Sequence, residues 1–292
     1  MSGNHKMNMS AGLLSVSVAL VLVAAKLWAY GQTDALSIAA SLADSAMDLM
    51  VSLAGLGAIA YAARPADDDH AFGHSSAEDL AALGQCVFIG LSAVAIAGAA
   101  LLRMVSNAPS TLMAEGRGSV VMLFSIALTV ALVLWQTRVA RQTGNRVVRA
   151  DRLHYLGDLL PNVGALIALW ASARLDLPQI DNFVALGAAG ILLVGGLRIG
   201  KPAWDALMDR AAPQEMITGI ENIAKNWPGV HGFHDLKTRT AGSVVFVNLH
   251  IELDGQQTLD QAHHIGAGLR HAILKAYPMA DVIIHKDPVR DA

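Results

Sequence analysis

The sequence predicts a membrane protein in two parts. An all-α bundle of six transmembrane helices fills residues 1–204, and a small cytoplasmic α+β domain of order α-β-β-α-β fills 205–292. Two observations predict this. Apolar residues make up 54% of the 292 and charged residues only 15%, with a mean hydropathy of +0.44, which no ordinary soluble domain shows. The apolar residues also crowd before about residue 200, while the last 85 or so read as water-soluble. A net charge of −3 argues against nucleic acid as a partner, since that calls for a basic face.

About 20 apolar residues cross a bilayer, and six stretches are long enough: near 11–30, 37–63, 80–104, 118–140, 152–173 and 181–201. The polar stretch Met1–Ser10 precedes a run that can span and lacks a clear cleavage site, so no cleavable signal peptide is expected. Gly55, Gly57, Gly187, Gly190, Gly195 and Gly196 permit close helix contact in lipid. The single cysteine, Cys86, excludes an intrachain disulfide or thiolate cluster and reads as a small buried hydrophobe. Between the fourth and fifth spans lie Arg138, Arg141, Arg146, Arg149 and Arg152, the densest positive cluster. The positive-inside tendency places that link, both termini and the Arg64–Asp79 connection in the cytoplasm. The opposite links carry only Arg103, Arg117 and Arg174.

Beyond Asp205 the period changes. Ala212–Asn226 reads as an amphipathic helix, with Pro213 at its start and Trp227-Pro228-Gly229 as its stop. Asp235–Arg239 and Val244–Leu253 read as strands around the Thr240-Ala241-Gly242 turn. Leu259–Ala276 is helical, closed by Tyr277-Pro278, and Val282–His285 is a last short strand. This order predicts helices on one face of a three-stranded sheet.

Three histidine–carboxylate clusters carry the chemistry. In the second and fifth spans, Asp44 and Asp48, and His154 and Asp158, form two i,i+4 pairs, each projecting from one helical face. A mid-bilayer carboxylate costs roughly 3 kcal/mol, so three cost on the order of 9. No basic partner lies nearby in those two spans. One imidazole and three carboxylates suit a tetrahedral Zn²⁺ site; Fe²⁺ or Cd²⁺ also fit, and Mg²⁺ prefers all-oxygen octahedral surroundings. The second cluster holds Asp67, Asp68, Asp69, His70 and His74 within eight residues. The third lies after residue 205, where seven of the eleven histidines fall. There His234, His250 and His285 with Asp287 sit on the strands and His263 on the intervening helix, while His231 and His271 read as plain surface residues.

Six segments carry a family resemblance: Ser41-Leu-Ala-Asp-Ser-Ala-Met-Asp48, Pro65-Ala-Asp-Asp-Asp-His-Ala-Phe-Gly-His74, Arg149-Ala-Asp-Arg-Leu-His-Tyr-Leu-Gly-Asp158, Trp227-Pro-Gly-Val230, His234-Asp-Leu-Lys-Thr-Arg239 and Val282-Ile-Ile-His-Lys-Asp-Pro288. In these the chain resembles the cation diffusion facilitator family, in its bacterial zinc and ferrous-iron efflux pump branch. The resemblance implies a homodimer in the bacterial inner membrane, each protomer ending in a metallochaperone-like cytoplasmic domain. It implies a transport site of Asp44, Asp48, His154 and Asp158 and a loop site of Asp67, His70 and His74. It also implies a binuclear site of His234, His250, His263, His285 and Asp287. Two positions depart from the branch: Ser76 stands where a lysine often supplies a charge interlock, and Lys286 replaces a neutral polar residue between two ligands.

The residues predict exchange of M²⁺ for H⁺. Carboxylates crowded in low dielectric hold protons, and a metal ion expels them. The terminal domain is expected to sense cytoplasmic metal. Manganese or cobalt export, and a membrane metal sensor without transport, are the alternatives. An enzyme is not expected, since no His-Glu-x-x-His pattern occurs.

Overall fold

The structure, a computed structural model, describes residues 3–33, 36–106, 116–175 and 180–289; side chains at 3, 29–30, 32–33, 36–41, 43–44, 116–123, 161–175, 180–181 and 184 lie outside that description. The chain divides into two units, Met1–Ala203 and Trp204–Ala292.

The first unit is built from six long helices: α1 (Gly3–Thr33), α2 (Leu36–Ala62), α3 (Ser76–Ser106), α4 (Gly116–Thr143), α5 (Arg146–Leu175) and α6 (Ile180–Leu207). All but α2, which matches its stretch to within one residue at each end, outrun the apolar stretches that predict them, because helical hydrogen bonding continues through polar flanks. Among the described residues, α1, α2, α3 and α6 contain windows long and apolar enough to cross a membrane. The first half of α5 holds Arg149, Asp151, Arg152, His154 and Asp158, which sets it apart. Large side chains such as Leu20, Leu91, Leu102 and Leu197 are more than half exposed, as a lipid-facing surface requires.

Helix α5 is the centre of the bundle. Val147 and Val148 pack with Ala11, Ile59 and Val139; Leu153 packs with Ile89, Ala93 and Leu192; Tyr155 packs with Val18, Leu22 and Leu132. Helix α6 approaches it closely through small residues. A Cβ at Gly157 would stand 3.1 Å from Leu192, and one at Gly195 2.9 Å from Leu153. Gly57, Gly187 and Gly190 meet no described atom within 4 Å, so close helix contact falls at Gly55 and Gly195 rather than at all the glycines. The turn into α5 is explicit: Gly144 takes φ +69° and Asn145 Oδ1 accepts from the Val148 N–H at 3.0 Å, an N-cap. Next to it, Arg146 donates to Asp79 near the start of α3, and Asp79 is fully buried.

The second unit follows α7 (Gln214–Lys225) with β1 (Gly232–Ala241), β2 (Val244–Leu253), α8 (Leu259–Ala276) and β3 (Ala280–Pro288). The sheet runs β1-β2-β3, antiparallel then parallel. Helices α7 and α8 cover one face, burying Ile220, Val247, Leu249, Ile251, Leu269, Ile273 and Val282. A capping box of Thr258 and Gln261 starts α8. The outer strands exceed their sequence expectation because ladder bonds to β2 hold residues of poor strand propensity, such as Gly232 and Asp287. The β1 register shifts between His234 and Lys237, where Asp235 takes φ +50°.

Two substitutions test this packing. Asp79→Ala strands Arg146 and is expected to cost about 3 kcal/mol, seen as a lower melting temperature in detergent micelles that Asp79→Glu does not reproduce in full. Gly229 takes φ +83°, and a Cβ there would meet Ile265 at 2.7 Å. Gly229→Val is expected to destabilise the second unit by about 1–3 kcal/mol, measured by urea titration of residues 204–292.

Candidate metal centres

The bundle brings α2 and α5 together at Asp48, His154 and Asp158, whose ligand atoms lie within 4.8 Å of one another. His154 Nε2 is 3.0 Å from Asp48 Oδ1. His154 is 7% exposed, its ring edge-on to Phe88 of α3 at 5.6 Å. The three ligands open on a cavity of about 180 Å³, walled by Phe88, Ile89, Ser92 and Ile96 of α3 and Leu192 of α6. One imidazole and two carboxylates around such a space can grip a divalent cation with a position left over. The side chain of Asp44 lies outside the described residues.

A buried polar network that the sequence reading did not single out lies beside this site. Asp151 Oδ2 accepts from Gln136 Nε2 of α4 at 2.7 Å and stands 2.6 Å from Ser15 Oγ of α1. Tyr155 and Ser52 hydroxyls are 2.9 Å apart. Asp151 precedes His154 by three residues and Ser52 follows Asp48 by four, so helical spacing alone placed both near the site. A basic group is present as well, from a third helix: Lys26 Nζ of α1 donates to Ser45 Oγ of α2 at 2.7 Å.

In the loop between α2 and α3, Asp67, His70 and His74 converge within 4.8 Å. Asp67 Oδ1 accepts from the His70 backbone N–H at 2.7 Å, and Oδ2 is 3.2 Å from His74 Nε2. That backbone bond is the main reason its carboxyl titrates below the usual aspartate range. The turn closes at Gly73, whose N–H donates to His70 O at 2.8 Å with φ +80°. His74 is buried against the Tyr61 ring. Asp68 and Asp69 stay exposed and outside the group.

On the open face of the sheet, register aligns three histidines in one row: His234 pairs with His250, and His250 with His285. Asp287, two residues on, reaches back to all three. Its Oδ2 lies 2.9 Å from His250 Nδ1 and 3.3 Å from His234 Nε2, and its Oδ1 3.3 Å from His285 Nε2. The His250 hydrogen bond holds the Asp287 carboxyl below its usual range. His234, His250 and Asp287 form the compact group, with the His285 ring 4.6 Å from that of His250. His263 joins none of the groups found among the described residues; it is exposed on α8, its ring 6.1 Å from that of His264. Lys286 does not intrude on the ligands. Strand alternation turns it to the helical face, where its Cε would lie 2.5 Å from a Cβ at Gly266.

Comparison with known proteins gives two domain matches. Residues 12–208 match the cation efflux transmembrane domain, and 212–289 match the cation efflux protein cytoplasmic domain. The chain is 42% identical over 279 residues to the cation-efflux pump FieF of Pectobacterium carotovorum, covering 96% of this chain and 92% of that protein. It is 39% identical over 278 residues to the FieF pump of an Escherichia coli O1:K1 strain, covering 95% and 92%. Among solved structures, the metal-bound C-terminal domain of the CzcD transporter from Thermotoga maritima matches 27% of this chain and 92% of its own, at 29% identity and a TM-score of 0.26. A helical membrane unit with clustered metal ligands, full-length relatives and both domain matches thus lead to one conclusion: the chain belongs to the cation efflux, or cation diffusion facilitator, family.

Proposed function

We propose that this divalent-metal efflux transporter exports Zn²⁺ from the cytoplasm of a bacterium across the inner membrane in exchange for protons, as a homodimer. The observation that carries the reading is the convergence of Asp48, His154 and Asp158 on one cavity inside the helical unit. Asp44, one turn before Asp48 on α2, completes the ligand set. All six helices cross the bilayer, both termini lie in the cytoplasm, and the domain boundary is at residues 204–205. One imidazole among carboxylates favours Zn²⁺, with Fe²⁺ and Cd²⁺ as further substrates. As a transporter the chain needs no chemical step on its cargo.

Protons and metal compete for the same oxygen and nitrogen atoms, since ligands coordinate only when deprotonated. A metal-loaded site opening outward and a protonated site opening inward then give antiport. The proton gradient drives metal out because acid outside displaces the ion. The histidine row with Asp287 binds cytoplasmic Zn²⁺ as a regulatory ligand, and ligands at a dimer interface tie its occupancy to protomer spacing. His263 belongs to that set when it meets a second protomer. The loop cluster Asp67, His70 and His74 forms a third zinc site.

Purified protein in vesicles loaded with a zinc-sensitive dye tests the transport site. Asp48→Ala and Asp158→Ala are expected to abolish proton-dependent zinc flux while leaving the protein folded; retained flux overturns the reading. In the same vesicles, His250→Ala is expected to raise the half-saturating zinc concentration several-fold with maximal flux retained. An unchanged half-saturation value rules out the regulatory role.

A further inference from the structure

Of the arginines around the link between α4 and α5, the packing uses Arg146, which donates to Asp79 of α3. Among the described residues no ion pair joins Arg138, Arg141, Arg149 or Arg152 to an acid. Helices α4 and α5 pack on each other across the Gly144–Asn145 turn, which gathers these four at the turn end of the hairpin. The charges of Arg149 and Arg141 both act on Arg152. Arg152 is half-buried, and its Nε is enclosed without a hydrogen-bond acceptor, a costly state for a donor that always carries its proton. Like charges gathered without acids repel one another, so the cluster calls for an anion from outside the chain.

The setting says which anion. Val130, Leu134, Arg138 and Arg141 follow one another at helical spacing along an exposed face of α4. Leu134 is 66% exposed and Trp135 beside it 39%. Exposed apolar side chains of a membrane helix face lipid, and tryptophan gathers at the boundary with water. Within one turn, from Leu134 to Arg138, this face passes from hydrocarbon to guanidinium, at the depth where lipid phosphates lie.

We propose that Arg141, Arg149 and Arg152, with Arg138 at the lipid-facing rim, bind the phosphate headgroup of an anionic phospholipid in the cytoplasmic leaflet. Its acyl chain lies along Val130 and Leu134. Guanidinium forks take phosphate oxygens in pairs, and basic pockets between membrane helices on the cytoplasmic side hold such headgroups. A bound headgroup joins α4 to the first two turns of α5, the helix that carries His154 and Asp158. The leaflet rests on the orientation proposed above, whereas the binding does not depend on zinc transport.

The test places the full chain in phosphatidylcholine vesicles carrying a trace of spin-labelled phosphatidylglycerol or spin-labelled phosphatidylcholine. Spin resonance of the motionally restricted lipid gives the preference for the anionic headgroup. Combined Arg141→Gln, Arg149→Gln and Arg152→Gln is expected to lower that preference at least fivefold, since each basic group near the surface weighs about a factor of five. Arg141 is exposed, so Arg141→Gln alone carries the test if the triple variant fails to fold; an unchanged preference in a folded variant overturns the site. Arg152→Lys keeps the charge and loses the planar fork, and is expected to lose part of the preference. Diffuse surface attraction predicts that lysine equals wild type, which overturns a built site. Displacement of the labelled lipid by excess inorganic phosphate assigns the cluster to a free anion and overturns the lipid. Zinc flux in the same vesicles is read separately: its absence sinks the transport reading and leaves the lipid preference to decide this one.

Discussion

A carboxylate inside an apolar helix bundle persists only where something positive or donating meets it, and much of this structure answers that requirement. Asp48 is met by His154, Asp151 by Ser15 and Gln136, and Asp79 by Arg146. Each of the three groups has one member on α5, namely His154, Asp151 and Arg146, and the other members come from α1, α2, α3 and α4. That helix therefore cannot move alone. Its position is set by hydrogen bonds to α1, α2, α3 and α4 as well as by packing, and it touches three of the hydrophobic clusters. Desolvation makes each of those bonds worth more than it is in water, so the polar centre fixes the bundle rather than weakening it.

The three ligand clusters reach a similar composition by different backbone means. In the membrane unit, two helices each contribute one face, and α3 and α6 wall the space. In the loop, a tight turn at Gly73 folds Asp67 back on His70 and His74, so the ligands come from one short segment. On the sheet, the pairing register does the work, lining up a histidine from each strand. Helix-borne ligands shift with helix motion, whereas the sheet-borne row is rigid. That difference fits the release proposed for the site in one unit and the sensing proposed for the site in the other.

Much of this was legible in the sequence. The i,i+4 spacing of His154 and Asp158 put both on one face of α5, where the structure groups them with Asp48, and the turn residues around Gly229 and Gly242 marked the ends of the second unit's elements. What escaped had physical reasons. Asp151 reads as a flank of the arginine-rich link, and only its spacing from His154 puts it on the buried face. Gln136 and Ser15 are polar residues that any membrane helix tolerates; their partners are distant in sequence. Lys26 lies on a different helix from the acids, so its link to Ser45 of α2 is not visible from the sequence of the second and fifth spans. Lys286 departs from the family pattern in the linear motif, and strand alternation carries it to the opposite face of the sheet. The outer strands extend past the residues that favour strand because their ends owe their conformation to pairing with β2 rather than to their own propensity.

The row formed by His234, His250 and His285 also has a consequence for biogenesis. A nascent chain emerges from its N-terminal side, so every ligand of the membrane cluster has been synthesised by the time residue 158 is made. The sheet row waits for β3, which pairs with β2 and follows both β2 and α8 in the chain. On the function proposed above, a newly inserted protomer acquires its means of moving metal before its means of measuring it, and ribosome pausing late in translation would lengthen the interval in which export runs ungoverned.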